Sequence, residues 1–290
     1  MTIKSALSLI ESVKDYRVLF VGDSIQDEYH YVTPLGKSAK EYLIPVRYIE
    51  HEVFDGGVLA AAKHLKSFCK SVDVCSPTKP VRKVRMVERI ENKEIRKLFE
   101  VHYDGTSLAN STFEDGYDVV VVTDFGHGAI DGDIISRLCK FPFVAVSAQT
   151  NSSNIGFNLI TKYPRADYIV IDEPEARLAA TSKNGYIRNV MDILSRGRCN
   201  KFVVTHGRHG AYGYQDGFFT QKPSFTEHAL DTMGAGDAFF SITAPMAKTG
   251  DIEELLLSGN AAGALKCQLI GNQPVTKDKL IEFLKTHGPR

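Results

Sequence analysis

Two carboxylates bracket a turn of small residues in the stretch Asp231-Thr232-Met233-Gly234-Ala235-Gly236-Asp237, and an apolar segment that looks helical follows at once. Glycines at this density cost backbone entropy and are kept where something must approach the main chain closely. A small-residue turn that opens a helix presents unpaired N–H groups at the positive end of the helix dipole, which makes an anion site. An anion held there would lie beside Asp237, an odd neighbour if the only task were to hold negative charge. Phosphoryl transfer removes the oddity. The amides of Ala235, Gly236 and Asp237 would neutralise charge on the transferred group, and the Asp237 carboxylate would take the proton of an attacking hydroxyl. The letters Gly-Ala-Gly-Asp alone also fit a plain helix start with an acid in its first turn. They match neither the GxxxxGK phosphate loop nor GxGxxG.

A scaffold has to hold that turn. Residues 1–14 predict a short helix with Leu7, Ile10 and Val13 on one face, and the apolar run Tyr16–Gly22 predicts a buried strand. Residues 30–54 alternate with period two through Tyr42, Ile44, Val46 and Tyr48 and predict exposed antiparallel strands. Asp55-Gly56-Gly57 opens a helix running to Lys66, residues 72–74 make a short strand, and two alternating runs from 81 and 95 make a hairpin. From about residue 118 the pattern changes. Apolar strands at 118–123, 143–146, 168–171 and 201–205 alternate with helix candidates at 131–140, 173–182 and 187–197. Such alternation predicts a parallel sheet covered on both faces. The expectation is one α/β domain over residues 1–290, with a small β-rich lid from segments at about 30–54 and 81–104. Ligands of such sheets collect at the C-terminal strand ends. That singles out Asp23 and Asp27, Thr123-Asp124, Ser147, Asp172 and Glu175, Thr205 and Gly207.

Composition bounds the reading. With 43% hydrophobic residues in 290, a sizeable core is available and disorder is not expected. Lys plus Arg equals Asp plus Glu at 35 each, which argues against a surface devoted to nucleic acid. Cys69, Cys75, Cys139, Cys199 and Cys267 are scattered without a CxxC pair, so reduced thiols of a cytoplasmic protein are expected rather than a disulfide framework or zinc site. His206 and His209 lack partners at transition-metal spacing. Glu11 interrupts the amphipathic N-terminus, so no signal peptide is expected, and no apolar run is long enough to span a membrane.

Residues 231–237 resemble the D-T-x-G-A-G-D signature of the ribokinase-like (PfkB-type) sugar kinases, and further segments resemble that family in the right order. They are Val21-Gly22-Asp23-Ser24-Ile25-Gln26-Asp27, the pair Gly56-Gly57, the run Thr205-His206-Gly207-Arg208-His209-Gly210, and Ser258 to Ala264 with a turn from Gly271 to Thr276. Within the family the opening Gly22 to Tyr31, the Lys83-x-Arg85 segment and Asp118 to Gly128 resemble the kinase half of the bifunctional heptose-phosphate kinase/nucleotidyltransferase. The chain ends where that half would end, so no nucleotidyltransferase domain is expected within it.

The resemblance implies a ribokinase-like three-layer α/β/α fold with a mainly parallel central sheet and a β-rich lid. It implies an ATP- and Mg²⁺-dependent kinase that phosphorylates a hydroxyl of a sugar or sugar phosphate, heptose-phosphate-like in the first instance. Asp237 would be the general base and Gly234, Ala235 and Gly236 the anion hole. Asp27, Asp23, Gly56, Gly57, Lys83 and Arg85 would face the acceptor. Thr205, Gly207, Gly210, Asn260 and Thr232 would lie along the nucleotide, and Asp172 with Glu175 would serve the metal. Asp172 stands where the family has Asn, and it also reads as a cap of the following helix. Two acceptor-side departures point away from the usual heptose phosphate: Ala60 replaces an Asn, and Ser147 to Ser152 replaces an acid and a lysine with neutral groups. Lys83, Arg85, Arg89 and Arg96 fit either an acceptor anion or a solvated face shared with Glu88, Glu91 and Glu94. A non-carbohydrate alcohol as acceptor, or an idle nucleotide-binding protein, remain the competing readings. Exposed lid edges lead to the expectation of a homodimer through the lid.

Overall fold

A computed structural model describes residues 3–90, 95–109, 111–225, 229–269 and 273–288. Gly271 of the expected turn, and Glu91 and Glu94, lie outside them. The main sheet has eight strands. Six are parallel, in the order β4 (Ser71–Cys75), β1 (Arg17–Gly22), β7 (Val119–Asp124), β8 (Val144–Ala148), β9 (Tyr168–Asp172) and β10 (Lys201–Thr205). The antiparallel pair β11 (Ala211–Gln215) and β12 (Phe218–Lys222) completes the edge beyond β10.

The period of two explains the layering. Val18 and Phe20 of β1 and Val119 and Val121 of β7 belong to one core, and Leu19, Val21, Val120 and Val122 to the other. Side chains alternate across a strand, so a strand of uninterrupted valine must be covered twice. The first face is covered by α1 (Ile3–Ser12), α2 (Val58–Leu65), α6 (Ala235–Met246), α7 (Ile252–Lys266) and α8 (Lys277–His287). The second is covered by α3 (Gly132–Leu138), α4 (Glu173–Ala179) and α5 (Ile187–Ser195). Each fully buried valine contributes on the order of 2 kcal/mol of transfer free energy before entropy is charged against it.

The lid is a separate four-stranded sheet in the order β3 (Val46–Gly57), β2 (Ser24–Pro34), β5 (Val81–Arg89) and β6 (Ile95–Tyr103). β2 pairs antiparallel with β3 and parallel with β5, so the two lid segments are joined side by side. The lid begins earlier than the alternation suggested. β2 follows β1 almost at once, because Asp23 turns the chain out of one sheet and into the other. Of the lid residues read as exposed, Tyr42, Ile44 and Tyr48 are, whereas Val46 is half-buried. Tyr42 and Ile44 lie outside the strands, in the connection between β2 and β3. The five cysteines are unpaired, and among the described residues no helix is long and apolar enough to cross a membrane.

Candidate active site

α6 starts at the turn. Gly234 is its N-cap, with φ at 75°, a left-handed conformation that carries little penalty only for glycine. The first helical amides have no intrahelical acceptor by construction. Ala235 N–H is partly spent on the Thr232 carbonyl at 3.4 Å, and those of Gly236 and Asp237 have no described backbone acceptor. Asp237 lies in this first turn. Its Oδ1 accepts from Gln149 Nε2 at 2.6 Å, which leaves Oδ2 for an incoming hydroxyl. Burial raises the Asp237 pKa, and the Asp27 charge adds to this. Gln149, Lys266 and Lys83 oppose it.

Asp237, Gly234 and Gln149 are shared by two adjoining cavities. One, of about 230 Å³, is bounded by Asp27, Lys83, Arg85, Thr150, Asn151 and Lys266 among others, and includes Gly56 and Gly57. The other, of about 170 Å³, is lined by Ser147, Asp172, Glu175, Thr205 and Gly236. A turn with a carboxylate at the junction of two cavities is the arrangement a group transfer requires, with donor on one side and acceptor on the other.

The paired glycines give the larger of the two cavities its shape. A Cβ on Gly56 would stand 2.5 Å from Asp27 Oδ2, and one on Gly57 would stand 2.3 Å from the Asp23 carbonyl. Gly57 also has φ at 59° and caps α2, whose first amide donates to that same carbonyl at 3.0 Å. Asp27 is buried and paired with Arg85, which also contacts Glu100 and lies over the Tyr29 ring. Lys83 sits opposite Asp27 in the β2–β5 register, and burial lowers its pKa. The four lid cations named from the sequence therefore divide. Lys83 and Arg85 are buried in the cavity, whereas Arg89 and Arg96 are exposed and paired with Glu50, Glu52 and Glu88.

Asp23 is placed differently from Asp27. Its carboxylate accepts from the amides of Phe125 at 2.9 Å, Ala129 at 3.1 Å and His127 at 3.5 Å, so it organises the loop after β7 and stands outside both cavities. His127 is on that loop, and burial pushes its pKa down to about 4. On the metal side, Asp172 and Glu175 form a reciprocal capping box at the start of α4. Asp172 Oδ1 accepts from the Glu175 amide, and the two Glu175 oxygens accept from the amides of Thr150 and Asp172. Capping and metal service are compatible, because the capping box uses only Oδ1 of Asp172, and Asp172 lines the smaller cavity. Burial raises both carboxyl pKa values, and repulsion between the two adds to the Glu175 shift. A divalent cation would relieve that strain. Among the described residues no group of three or more His, Cys, Asp or Glu side chains is placed to hold a metal ion.

Thr205 lies at the end of β10 in the same cleft, and the loop Gly207–Gly210 follows it. Asn260 Nδ2 donates to the carbonyls of Lys222 and Pro223, which ties α7 to the segment after β12. Thr232 is exposed ahead of the turn. Among the polar cavity residues, the sequence-level assignments give no role to Gln149 as the partner of Asp237, to the buried His64 or to the buried Lys266. Gln149 was findable as the first residue after β8. Lys266 ends an alanine-rich helix and carries no local signal.

The fold is ribokinase-like. Over 93% of this chain and 99% of theirs it superposes on a ribokinase from Thermotoga maritima with a TM-score of 0.70 at 16% identity. It superposes on phosphofructokinase-2 from Escherichia coli with a TM-score of 0.72 at 14% identity, over 94% of this chain and all of that one. Residues 149–279 match the model of the pfkB family carbohydrate kinases. The bifunctional protein HldE of Shewanella baltica is 25% identical over 93% of this chain, and the chain spans 64% of that relative's length. These findings establish a ribokinase-like fold, with a match to the pfkB family carbohydrate kinases over residues 149–279.

Proposed function

We propose that the chain transfers the terminal phosphoryl group of MgATP to a hydroxyl of a small polyhydroxylated acceptor, a sugar or sugar phosphate of heptose-phosphate-like size. The observation that carries this reading is the position of Asp237 and Gly234 at the wall between two cavities, with one flanked by Asp27, Lys83 and Arg85 and the other by Asp172, Glu175 and Thr205. ATP would run from the 170 Å³ cleft toward the loop Gly207–Gly210 and Asn260, with its terminal phosphate on the amides of Gly236 and Asp237. Mg²⁺ held through Asp172 and Glu175 would neutralise phosphate charge. Asp27 would orient a diol as a two-oxygen acceptor, Lys83 and Arg85 would meet any anionic group, and Asp237 Oδ2 would receive the hydroxyl proton.

Formation of ADP from MgATP, followed over heptose phosphates, hexoses, pentoses and polar alcohols, tests the assignment. Turnover dependent on one sugar or sugar phosphate is the expected result. Tight MgATP binding with no acceptor turned over would favour a nucleotide-binding role instead. Turnover of a nucleoside or vitamin alone would reassign the acceptor.

The exposed edge strand β3, with Tyr48 and Ile49 more than half exposed, supports a homodimer through the lid. Tyr48→Glu combined with Ile49→Glu should give a monomer by light scattering where the unaltered chain gives a dimer. Equal masses for the two would remove the lid as the interface.

A further inference from the structure

Resting on that kinase reading, we propose that the Lys266 ammonium is a built-in counter-charge beneath the Gly234–Asp237 turn, which holds the turn and its carboxylate in their working state during phosphoryl transfer. Lys266 is the last residue of α7 and is 1% exposed, although lysine is rarely so enclosed without a purpose. It lines the acceptor cavity with Gly234 and Asp237. A Cβ built on Gly234 would lie 3.3 Å from Lys266 Cε and 4.0 Å from Nζ, so the lysine stem passes directly under the turn. The ammonium donates to the Leu269 carbonyl at 3.3 Å, and the charges it faces are those of Asp231 and Asp237, with Cys267 and His64 also near. Asp231 and Asp237 are the two carboxylates that bracket the small residues. The end of α7 is also tied to the approach of the turn, because the amides of Leu230 and Asp231 donate to the Cys267 carbonyl.

Burial of an ammonium among apolar helices opposes folding. A methionine of similar length would be neutral or stabilising at such a place. What the charge supplies is electrostatic. It offsets the mutual repulsion of Asp231, Asp237 and an arriving phosphate, and it acts from a low-dielectric wall where a fixed charge is effective. His64 is held uncharged in the same wall. It is buried, its Nδ1 accepts from the Val275 amide, and burial pushes its pKa down to about 4. Lys266 is therefore a positioning residue that acts through Asp237 and the turn.

Lys266→Met, Lys266→Arg and Lys266→Ala should be compared with the unaltered chain by ADP formation under saturating MgATP and by thermal unfolding. Lys266→Met should lower kcat roughly 100-fold, leave KM for MgATP within a few-fold, and leave Tm equal or higher. Arginine should recover part of the rate, and ammonium chloride, but not sodium chloride, should partly restore Lys266→Ala. Unchanged kcat in Lys266→Met, or a loss of kcat matched by a lowered Tm without recovery by arginine or ammonium, overturns the inference. An unaltered chain that forms no ADP with any acceptor instead overturns the kinase reading and this inference with it.

Discussion

Asp237→Asn is expected to lower kcat by roughly a hundredfold to ten-thousandfold, the range contributed by a positioned general base. The change is nearly isosteric. Gln149 can still bond residue 237 after rotating its own amide, and Gly234 and Gly236 keep the shape of the turn. What is lost is the place for the hydroxyl proton. MgATP affinity should hold or rise slightly, since a carboxylate beside the phosphate site repels the nucleotide in the ground state. Isothermal titration with MgATP and steady-state ADP formation separate the two effects, and an active Asp237→Asn enzyme refutes the assignment. The pH profile gives a second check. Burial raises the Asp237 pKa above the ordinary carboxylate range. The base works when ionised, so kcat/KM should be constant at neutral pH and should fall as pH drops through that raised value. The acid limb should therefore appear at higher pH than for a solvated aspartate.

Legibility in the sequence followed the kind of physics involved. β7 could be read because an unbroken run of four valines ahead of Thr123 has nowhere to go except between two apolar layers, and the split of its alternate residues between two cores confirms it. The helix start at residues 234–237 could be read because its signal is local: small residues and an acid within four positions, ahead of an apolar run. β2 was harder. It starts at Ser24, directly after the buried strand β1, and no composition change marks the point where the chain leaves one sheet for another. The separate roles of Asp23 and Asp27 were equally hidden, because both are acids in one short segment. Only the fold shows that loop 125–129 closes over the first, while the second turns toward Gly56 and Arg85. The alternating charge pattern by itself did not separate Lys83 and Arg85 from Arg89 and Arg96; only the resemblance set the first two apart. Depth under the lid, a tertiary property, divides them.

Asp27→Asn carries the second large effect, and its kinetic part should fall on the acceptor rather than on MgATP. Asp27 is buried beside Lys83 and is paired with Arg85, so its charge balances two cations, and on the proposed reading its oxygens also orient a diol. The amide removes the charge and replaces one acceptor oxygen with a donor, leaving a hydroxyl of the substrate facing an N–H. Sites built to bond a hydroxyl lose selectivity steeply when a buried partner is mismatched, and kcat/KM for the acceptor should fall about a thousandfold while KM for MgATP stays put. Some of the change will be structural, because breaking a buried pair costs about 3 kcal/mol. Gly56→Ala distinguishes the two contributions. A Cβ there would stand 2.5 Å from Asp27 Oδ2, so it displaces the carboxylate from the cavity without removing its charge. If Asp27 orients the acceptor, Gly56→Ala should reproduce the kinetic defect with a smaller loss of Tm. If Asp27 only neutralises Lys83 and Arg85, Gly56→Ala should leave acceptor kinetics intact, and the acceptor would have to be oriented by other lining residues such as Thr150 and Asn151.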